Sequence, residues 1–286
     1  MSRIIKTIII LLTLALTGCA AVRYPVNAKL STYDPAYGYR FANVHKDNAG
    51  DILLIAAFSG GGTRAAALSY GALEALAKTE IQQNGRKQRL LDHLKVISSI
   101  SGGSYTAAYY GLFGDRIFQD FETRFLKRDA QGEIGRLVFS PVNLMRLTSP
   151  YFGRVDLVAE HLDEEIFEHK TFADLLAAAQ TGRRPYIAIN ATDMSLGSQF
   201  EFTQDQFDLL CSDLSSFSVA RAVAASSAVP LWFSPLTLKN YAGQCNYAEP
   251  EWITAALKKR EAEPRRFNRA AEIHSYFDAS MRPYIH

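Results

Sequence analysis

The sequence predicts an α/β fold, a three-layer α/β/α sandwich around a mainly parallel central sheet. An almost continuous apolar run, 52–58, and a second strand-like run, 94–100, each end in a glycine-rich turn that leads into a stretch with helical spacing. A third apolar run, 185–192, follows a series of helical segments. Strands of a parallel sheet are buried on both faces and alternate with helices, so this order predicts parallel pairing.

The remaining elements follow from the same periodicities. Helices are predicted over 63–78, 104–112, 118–126, 157–169, 172–180, 219–226 and 252–263, the last ended by Pro264. An exposed strand over 199–203 and an extended segment over 232–238 complete the pattern. We expect a single domain over residues 51–286, because no internal repeat or linker interrupts it.

The composition is that of a globular chain that can bury a sizeable core. Of the 286 residues, 48% are hydrophobic and 21% are charged, which excludes disordered, collagenous and disulfide-dense classes. Arg3 and Lys6 are the only charges before residue 19, so the remainder carries 29 charges of each sign. A neutral chain lacks the basic surface of a nucleic-acid-binding protein.

The first eighteen residues predict an export signal. Arg3 and Lys6 precede an apolar run over 8–16 that only Thr13 interrupts. This run is too short for a comfortable transmembrane helix. A retained membrane anchor or a buried core helix is the alternative interpretation.

The residues that follow favour cleavage and lipid attachment. Leu16-Thr17-Gly18-Cys19 resembles a bacterial lipobox, in which the chain is cut before the cysteine and lipid is attached to it. We therefore expect residues 1–18 to be a lipoprotein signal peptide, Cys19 to bind the membrane through acyl chains, and 19–50 to form a tether and lead-in. Ala20 in place of Asp favours the bacterial outer membrane, with the periplasmic or surface side left open.

Export also sets the redox environment of the other two cysteines. An oxidising compartment permits a disulfide between Cys211 and Cys245. Two separate buried thiols remain the alternative, because sequence does not give the distance between their Cα atoms.

The turn after the second apolar run carries a candidate nucleophile. Ser99-Ile100-Ser101-Gly102-Gly103 fits the G-x-S-x-G nucleophile elbow with Ser in place of the first Gly. Such a turn lifts the Ser101 hydroxyl out of the sheet edge, and Gly102 and Gly103 avoid side-chain clashes in the tight bend. Alone, this pattern is also compatible with an ordinary Ser- and Gly-rich turn.

The turn after the first apolar run supplies the complementary part. In Ser59-Gly60-Gly61-Gly62-Thr63-Arg64, three glycines free the backbone to aim N–H groups at a negative oxygen. Parallel strands place both turns at one sheet edge, which predicts an oxyanion hole next to a nucleophile. A closely packed structural turn is an alternative. A phosphate loop is disfavoured, because no Lys-Ser/Thr follows and Ala65 stands where G-x-G-x-x-G needs Gly.

These two turns together resemble those of patatin-like phospholipases and the related cytosolic phospholipases. Ile189-Asn190-Ala191-Thr192-Asp193 is similar to that family's central strand, and residues 221–230 are similar to its helix-and-Pro segment, in family order. The resemblance implies a serine carboxylic-ester hydrolase that acts on phospholipid or another acyl lipid without metal or cofactor. In it, Ser101 is the nucleophile and Gly60, Gly61 and Gly62 line the oxyanion hole. Arg64 would steady the loop, meet a phosphate headgroup or make a plain surface ion pair.

The base of the family's Ser–Asp dyad is missing. Family members carry it in a late D-G-G or D-G-A motif, and no Asp-Gly pair occurs in these 286 residues. Pro283-Tyr284-Ile285-His286 is similar to the start of the strand that delivers this Asp, so we expect a truncated chain. The alternatives are an inactive lipid-binding or envelope-interaction lipoprotein, substitution by Asp193 or Asp278, and a triad that uses His274.

Overall fold

The structure is a computed structural model that describes residues 22–44, 52–83 and 85–286. The predicted signal peptide 1–18 and the predicted lipidation site Cys19 lie outside these residues. Within them, no helix combines the length and apolar character needed to span a bilayer.

The described residues form ten strands and twelve α-helices. The strands are β1 (Ala28–Lys29), β2 (Leu54–Phe58), β3 (Glu80–Gln83), β4 (Arg86–Arg89), β5 (Leu94–Ile100), β6 (Tyr186–Asp193), β7 (Ser198–Glu201), β8 (Ser212–Asp213), β9 (Leu238–Lys239) and β10 (Tyr284–Ile285). The helices are α1 (Phe41–Val44), α2 (Gly62–Lys78), α3 (Gly102–Phe113), α4 (Ile117–Phe121), α5 (Ala130–Val138), α6 (Pro141–Arg146), α7 (Arg154–Glu165), α8 (Phe172–Gln180), α9 (Gln204–Leu209), α10 (Val219–Ser226), α11 (Glu251–Leu257) and α12 (Pro264–Tyr276).

The central sheet has four strands in the order β2-β5-β6-β7. The first three are parallel and β7 is antiparallel to β6. Helices flank this sheet, so the predicted α/β class with a mainly parallel sheet is confirmed. Its apolar runs form strands because Ile97, Ile187 and Ile189 are completely buried.

The core lies where α3 crosses the sheet. This helix packs on β5 and β6 and also contacts α2, α8 and α10. Tyr109 and Phe121 are fully buried on this side, with their ring centroids 4.9 Å apart. On the opposite face of the sheet, Ile55 and Ile100 are partly exposed among the described residues.

The lead-in before the sheet is packed against the body of the domain, so residues 22–44 do not form a free tether. β1 pairs with β8, and the Asn27 amide donates to the Ser212 hydroxyl over 2.8 Å. Tyr39 is fully buried. Its hydroxyl accepts a hydrogen bond from the Ile187 N–H (2.7 Å) and donates to the Ile187 carbonyl (3.1 Å), as a neighbouring strand would.

Several predicted boundaries differ from the structure. Pro264 begins α12 instead of only ending the preceding helix, because proline is well accommodated in the first turn of a helix. Of the extended segment predicted over 232–238, only Leu238 lies in a strand, and β10 pairs with that strand outside the central sheet. The helix predicted over 157–169 spans Arg154–Glu165.

The structure joins Cys211 and Cys245 in a disulfide with a Cα–Cα distance of 5.4 Å. Both residues are buried with Leu30 in a small cluster beneath the lead-in. The bridge therefore links the β8 region to the loop after β9, next to the point where the lead-in crosses both.

Candidate active site

The two glycine turns lie side by side at the carboxyl edge of the sheet. Phe58 at the end of β2 is paired with Ser99 near the end of β5. The Gly103 N–H donates to the Ser59 carbonyl over 3.2 Å, a direct link between the turns. The residues predicted to act together are thus brought together, because neighbouring parallel strands end at one edge.

Ser101 occupies the sharp turn between β5 and α3. Its backbone has φ 51° and ψ −124°, a conformation that L-residues adopt rarely and that marks strained functional turns. The residue is only partly buried. α3 begins at the next residue, so the free N–H groups and positive end of that helix lie beside the hydroxyl.

The glycines after Ser101 are required by close backbone contacts. A Cβ on Gly102 would lie 2.1 Å from the Gly62 carbonyl oxygen. A Cβ on Gly103 would lie 2.7 Å from the Phe58 carbonyl oxygen. Neither position can carry a side chain without moving backbone, so the elbow and the glycine loop are in direct steric contact.

The glycine loop has the conformation and position expected of an anion-binding turn. Gly61 and Gly62 have φ of 138° and 62°, which glycine adopts readily. A Cβ on Gly60 would lie 3.2 Å from the Ser101 Cβ and 3.8 Å from its Oγ. α2 begins at Gly62, and its unpaired first-turn N–H groups are the kind of donors that stabilise an oxyanion.

Ser226 is a functional candidate that the sequence did not single out. Its hydroxyl accepts a hydrogen bond from the Ser101 N–H (2.8 Å) and donates to the Asn190 carbonyl (2.6 Å). It also lies 3.0 Å from the Ser104 hydroxyl. The residue belongs to the helix-and-Pro segment 221–230, but nothing in its spacing indicates a contact 125 residues away.

No carboxylate or imidazole of the described residues hydrogen-bonds to the Ser101 hydroxyl. Asp193, one proposed substitute, is buried with its carboxylate bonded to the Tyr276 hydroxyl (2.9 Å) and Arg282 guanidinium (2.6 Å). These contacts link β6 to the C-terminal segment, so the Asp193 carboxylate has a structural role and does not contact Ser101.

The two other proposed bases also have different partners. The Asp278 carboxylate accepts hydrogen bonds from Ser280 and from the Met281 N–H, and these bonds lower its pKa. His274 Nδ1 lies 2.6 Å from a carboxylate oxygen of Glu249. Both side chains are therefore used in local structure around α12 and not at the elbow.

An apolar cavity of about 270 Å³ adjoins the elbow. Its wall includes Ile100, which precedes the nucleophile candidate, and Ser226, which holds the elbow backbone. The other lining residues are mostly apolar and include Phe200, Phe202, Ala225, Ala228, Pro230 and Leu236. Such a lining suits a hydrocarbon chain.

The tyrosines of α3 pack in the core. Burial raises the pKa of Tyr105, and it raises that of Tyr110 to about 12. Both phenols are therefore neutral near pH 7 and do not act as bases. Tyr105 stacks on Phe125 at a centroid distance of 4.4 Å, so it contributes packing behind the elbow.

Arg64 lies in the first turn of α2 and is exposed. Within the described residues it makes no hydrogen bond or ion pair, so its side chain is available to a ligand. The same part of the chain contains no group of three or more His, Cys, Asp or Glu arranged to hold a metal ion.

Comparison with known proteins shows the family. A sequence model described as patatin-like phospholipase matches residues 56–252. That span covers more than half of the chain and includes both glycine turns and Ser226. The chain therefore belongs to the patatin-like phospholipase family, a family of lipid hydrolases, and the resemblance of its motifs is confirmed.

Among solved structures, the chain is similar to human GIVD cytosolic phospholipase A2 in complex with the inhibitor methyl gamma-linolenyl fluorophosphonate and terbium chloride. The two share 23% identity with a TM-score of 0.34. The match covers 57% of this chain and 25% of that one, so this chain spans about a quarter of its length. A search of curated proteins finds no match.

Proposed function

We propose that the protein is a serine ester hydrolase that removes acyl chains from phospholipid or a related lipid. Ser101 is the nucleophile and the N–H groups of Gly60, Gly61 and Gly62 form the oxyanion hole. The observation that carries this proposal is the contact between the turns, in which Gly60 lies against Ser101. Family membership supports the lipid substrate class.

The proposed reaction has two steps. The Ser101 oxygen bonds to the ester carbonyl carbon while its proton passes to a base, and the carbonyl oxygen becomes negative. N–H groups of the glycine loop stabilise that charge, and the alcohol leaves with a proton, which gives an acyl-serine. Water then attacks the acyl-serine and releases the fatty acid and free Ser101. The adjoining apolar cavity would hold the acyl chain.

The base of this reaction separates two candidate functions. The family resemblance assigns it to an Asp-Gly motif that the 286 residues do not contain. A second candidate function is therefore a catalytically inactive lipid-binding lipoprotein. It is favoured by the absence of a carboxylate partner for Ser101 in the described part of the chain.

Labelling by a fluorophosphonate probe separates the two functions. A reactive Ser101 forms a covalent adduct that mass spectrometry places on that residue, and Ser101→Ala abolishes it. The control is Ser227→Ala, which alters a neighbouring hydroxyl bonded to the Val223 carbonyl. Labelling with turnover of a p-nitrophenyl ester supports the hydrolase; an unlabelled but folded Ser101 contradicts it and favours the inactive protein.

We further propose that Cys19 anchors the domain to the bacterial outer membrane. The lipobox-like Leu16-Thr17-Gly18-Cys19 supports this anchoring. Metabolic labelling with radioactive palmitate should mark the wild-type protein and not Cys19→Ala. Equal labelling of the two, or none in either, contradicts the proposal. Arg64 would then meet a lipid phosphate or steady the glycine loop.

A further inference from the structure

The loop that follows α10 exposes apolar side chains beside the candidate active site. Leu231 is 95% exposed and Trp232 is 73% exposed, an arrangement with no packing benefit to the folded domain. Leu231 also has φ 76°, a conformation unfavourable for a branched residue. Pro230 of the same loop lines the cavity that adjoins the elbow. Large apolar groups exposed at the rim of a site mark an interaction surface.

A second apolar segment lies next to this loop. The Arg154 guanidinium donates to the Leu231 carbonyl over 3.2 Å, which places the loop against the start of α7. Tyr151 is exposed three residues earlier. Helix α6, which precedes it, has no buried residue and exposes Val142, Leu144 and Met145. We call this surface the apolar rim: Val142, Leu144, Met145, Tyr151, Val229, Leu231 and Trp232.

The charges of the apolar rim are basic. Neither of the two segments that form it, 134–155 and 214–248, contains Asp or Glu. Arg154 makes no ion pair with another described residue. The Arg23 guanidinium lies 4.6 Å from the centre of the Tyr151 ring. An apolar surface with tryptophan and unneutralised arginine is complementary to the headgroup region of a phospholipid bilayer.

The lead-in connects the apolar rim to the membrane anchor proposed above. The Ser149 hydroxyl donates to the Val22 carbonyl (2.6 Å), and the Tyr24 N–H donates to the Tyr151 carbonyl (2.9 Å). Cys19 is three residues before Val22, so the chain between them spans at most about 11 Å. An acyl chain on Cys19 would enter the bilayer within that distance of Val22, beside the segment that carries Tyr151.

We infer that the apolar rim is the surface through which the domain inserts into the bilayer, with Leu231 and Trp232 below the headgroups and Arg154 on the phosphates. The inference rests on the proposed function, since it names how the same site meets lipid. Insertion puts Pro230, which lines the cavity, against the bilayer surface. A lipid acyl chain can then enter the cavity without crossing water.

Trp232 reports insertion directly. The sequence has two tryptophans, so Trp252→Phe leaves Trp232 as the only indole, and Ser101→Ala prevents hydrolysis of the vesicles. The full chain with both changes is mixed with vesicles of phosphatidylcholine and phosphatidylglycerol whose acyl chains are brominated. We expect Trp232 emission to shift to shorter wavelength and to be quenched. The reciprocal reporter, Trp232→Phe, leaves Trp252 on α11 and is expected to show neither change.

A matched pair of leucine variants tests the surface. Leu231→Ser should abolish most of the quenching, whereas Leu53→Ser should leave it unchanged. Leu53 is 64% exposed but precedes β2, at the opposite end of the strand from the glycine turn. Arg154→Gln should reduce the preference for phosphatidylglycerol over pure phosphatidylcholine.

Three outcomes overturn the inference. One is unshifted, unquenched Trp232 in the folded reporter protein. Another is equal quenching in Leu231→Ser and the parent. The third is a dimer in sedimentation that Leu231→Ser dissociates without any quenching, which would assign the rim to a second copy of the chain. Hydrolysis of a soluble ester is measured separately on protein with Ser101 intact. Failure of insertion is thereby distinguished from failure of the proposed chemistry.

Discussion

Ser226→Ala should lower the free energy of unfolding by more than the loss of one surface hydroxyl would. Alanine removes the acceptor of the Ser101 N–H and the donor to the Asn190 carbonyl, bonds of 2.8 and 2.6 Å. A buried polar group left unsatisfied costs about 1–3 kcal/mol, so we expect a loss of that order in the free energy of unfolding. The N–H belongs to Ser101, the proposed nucleophile, in a strained conformation that this bond helps to hold.

The same variant should slow the chemistry. If about 1.4 kcal/mol of the loss falls on the reactive geometry, fluorophosphonate labelling of Ser101 slows roughly tenfold. Urea unfolding at pH 7 gives the stability, and the labelling rate at pH 7 without urea gives the reactivity. Ser227→Ala is the matched control, since its hydroxyl bonds to the Val223 carbonyl and to Tyr105 and not to Ser101. A stability loss with an unchanged labelling rate would refute a positioning role for Ser226 and leave it a purely structural residue.

Four further changes test the fold around the site. Gly102→Ala should abolish labelling of Ser101, because its Cβ would lie 2.1 Å from a carbonyl oxygen. Gly71→Ala, at a position with open space around it, should instead raise the free energy of unfolding by about 0.5–1 kcal/mol. Labelling and thermal unfolding are measured for both variants. Replacing Cys211 and Cys245 by serine removes a disulfide between residues 34 apart and should lower the free energy of unfolding by about 3–4 kcal/mol, because the unfolded chain gains loop entropy. The urea midpoint of this variant should be lower than that of the parent and should not change when a reductant is added. Asp193→Asn leaves the partly buried Arg282 without its carboxylate partner and should cost at most about 3–5 kcal/mol, a loss that urea titration at pH 7 tests. Equal midpoints of variant and parent would contradict each of the last two.

The strands and turns of the site were predictable because their causes are local. A run such as 94–100 is rich in Leu, Val and Ile, and the glycines that follow indicate a bend in which no side chain fits. Once two such units are recognised, parallel pairing brings their ends together without further information. The elbow, the glycine loop and their position at one edge of the sheet could therefore be predicted from sequence alone.

The parts that sequence did not predict depend on contacts between distant residues. The hydrogen bond from Ser101 to Ser226 and the packing of Tyr39 against Ile187 join segments more than a hundred residues apart. The spacing of residues along the sequence does not indicate such a contact. Pro264 was mispredicted for a different reason. Proline can follow the end of one helix or begin the next, and in the structure Pro264 begins α12.

The steric contact of Gly102 with Gly62 has a consequence for how this site can change. Because there is no space for a methyl group between the two turns, we expect the proposed nucleophile and the proposed oxyanion donors to move together, so that a change in one also displaces the other. Variation that alters substrate preference must therefore occur in the cavity wall and its rim, where side chains face space instead of backbone. Directed-evolution libraries for new ester substrates are best confined to those positions.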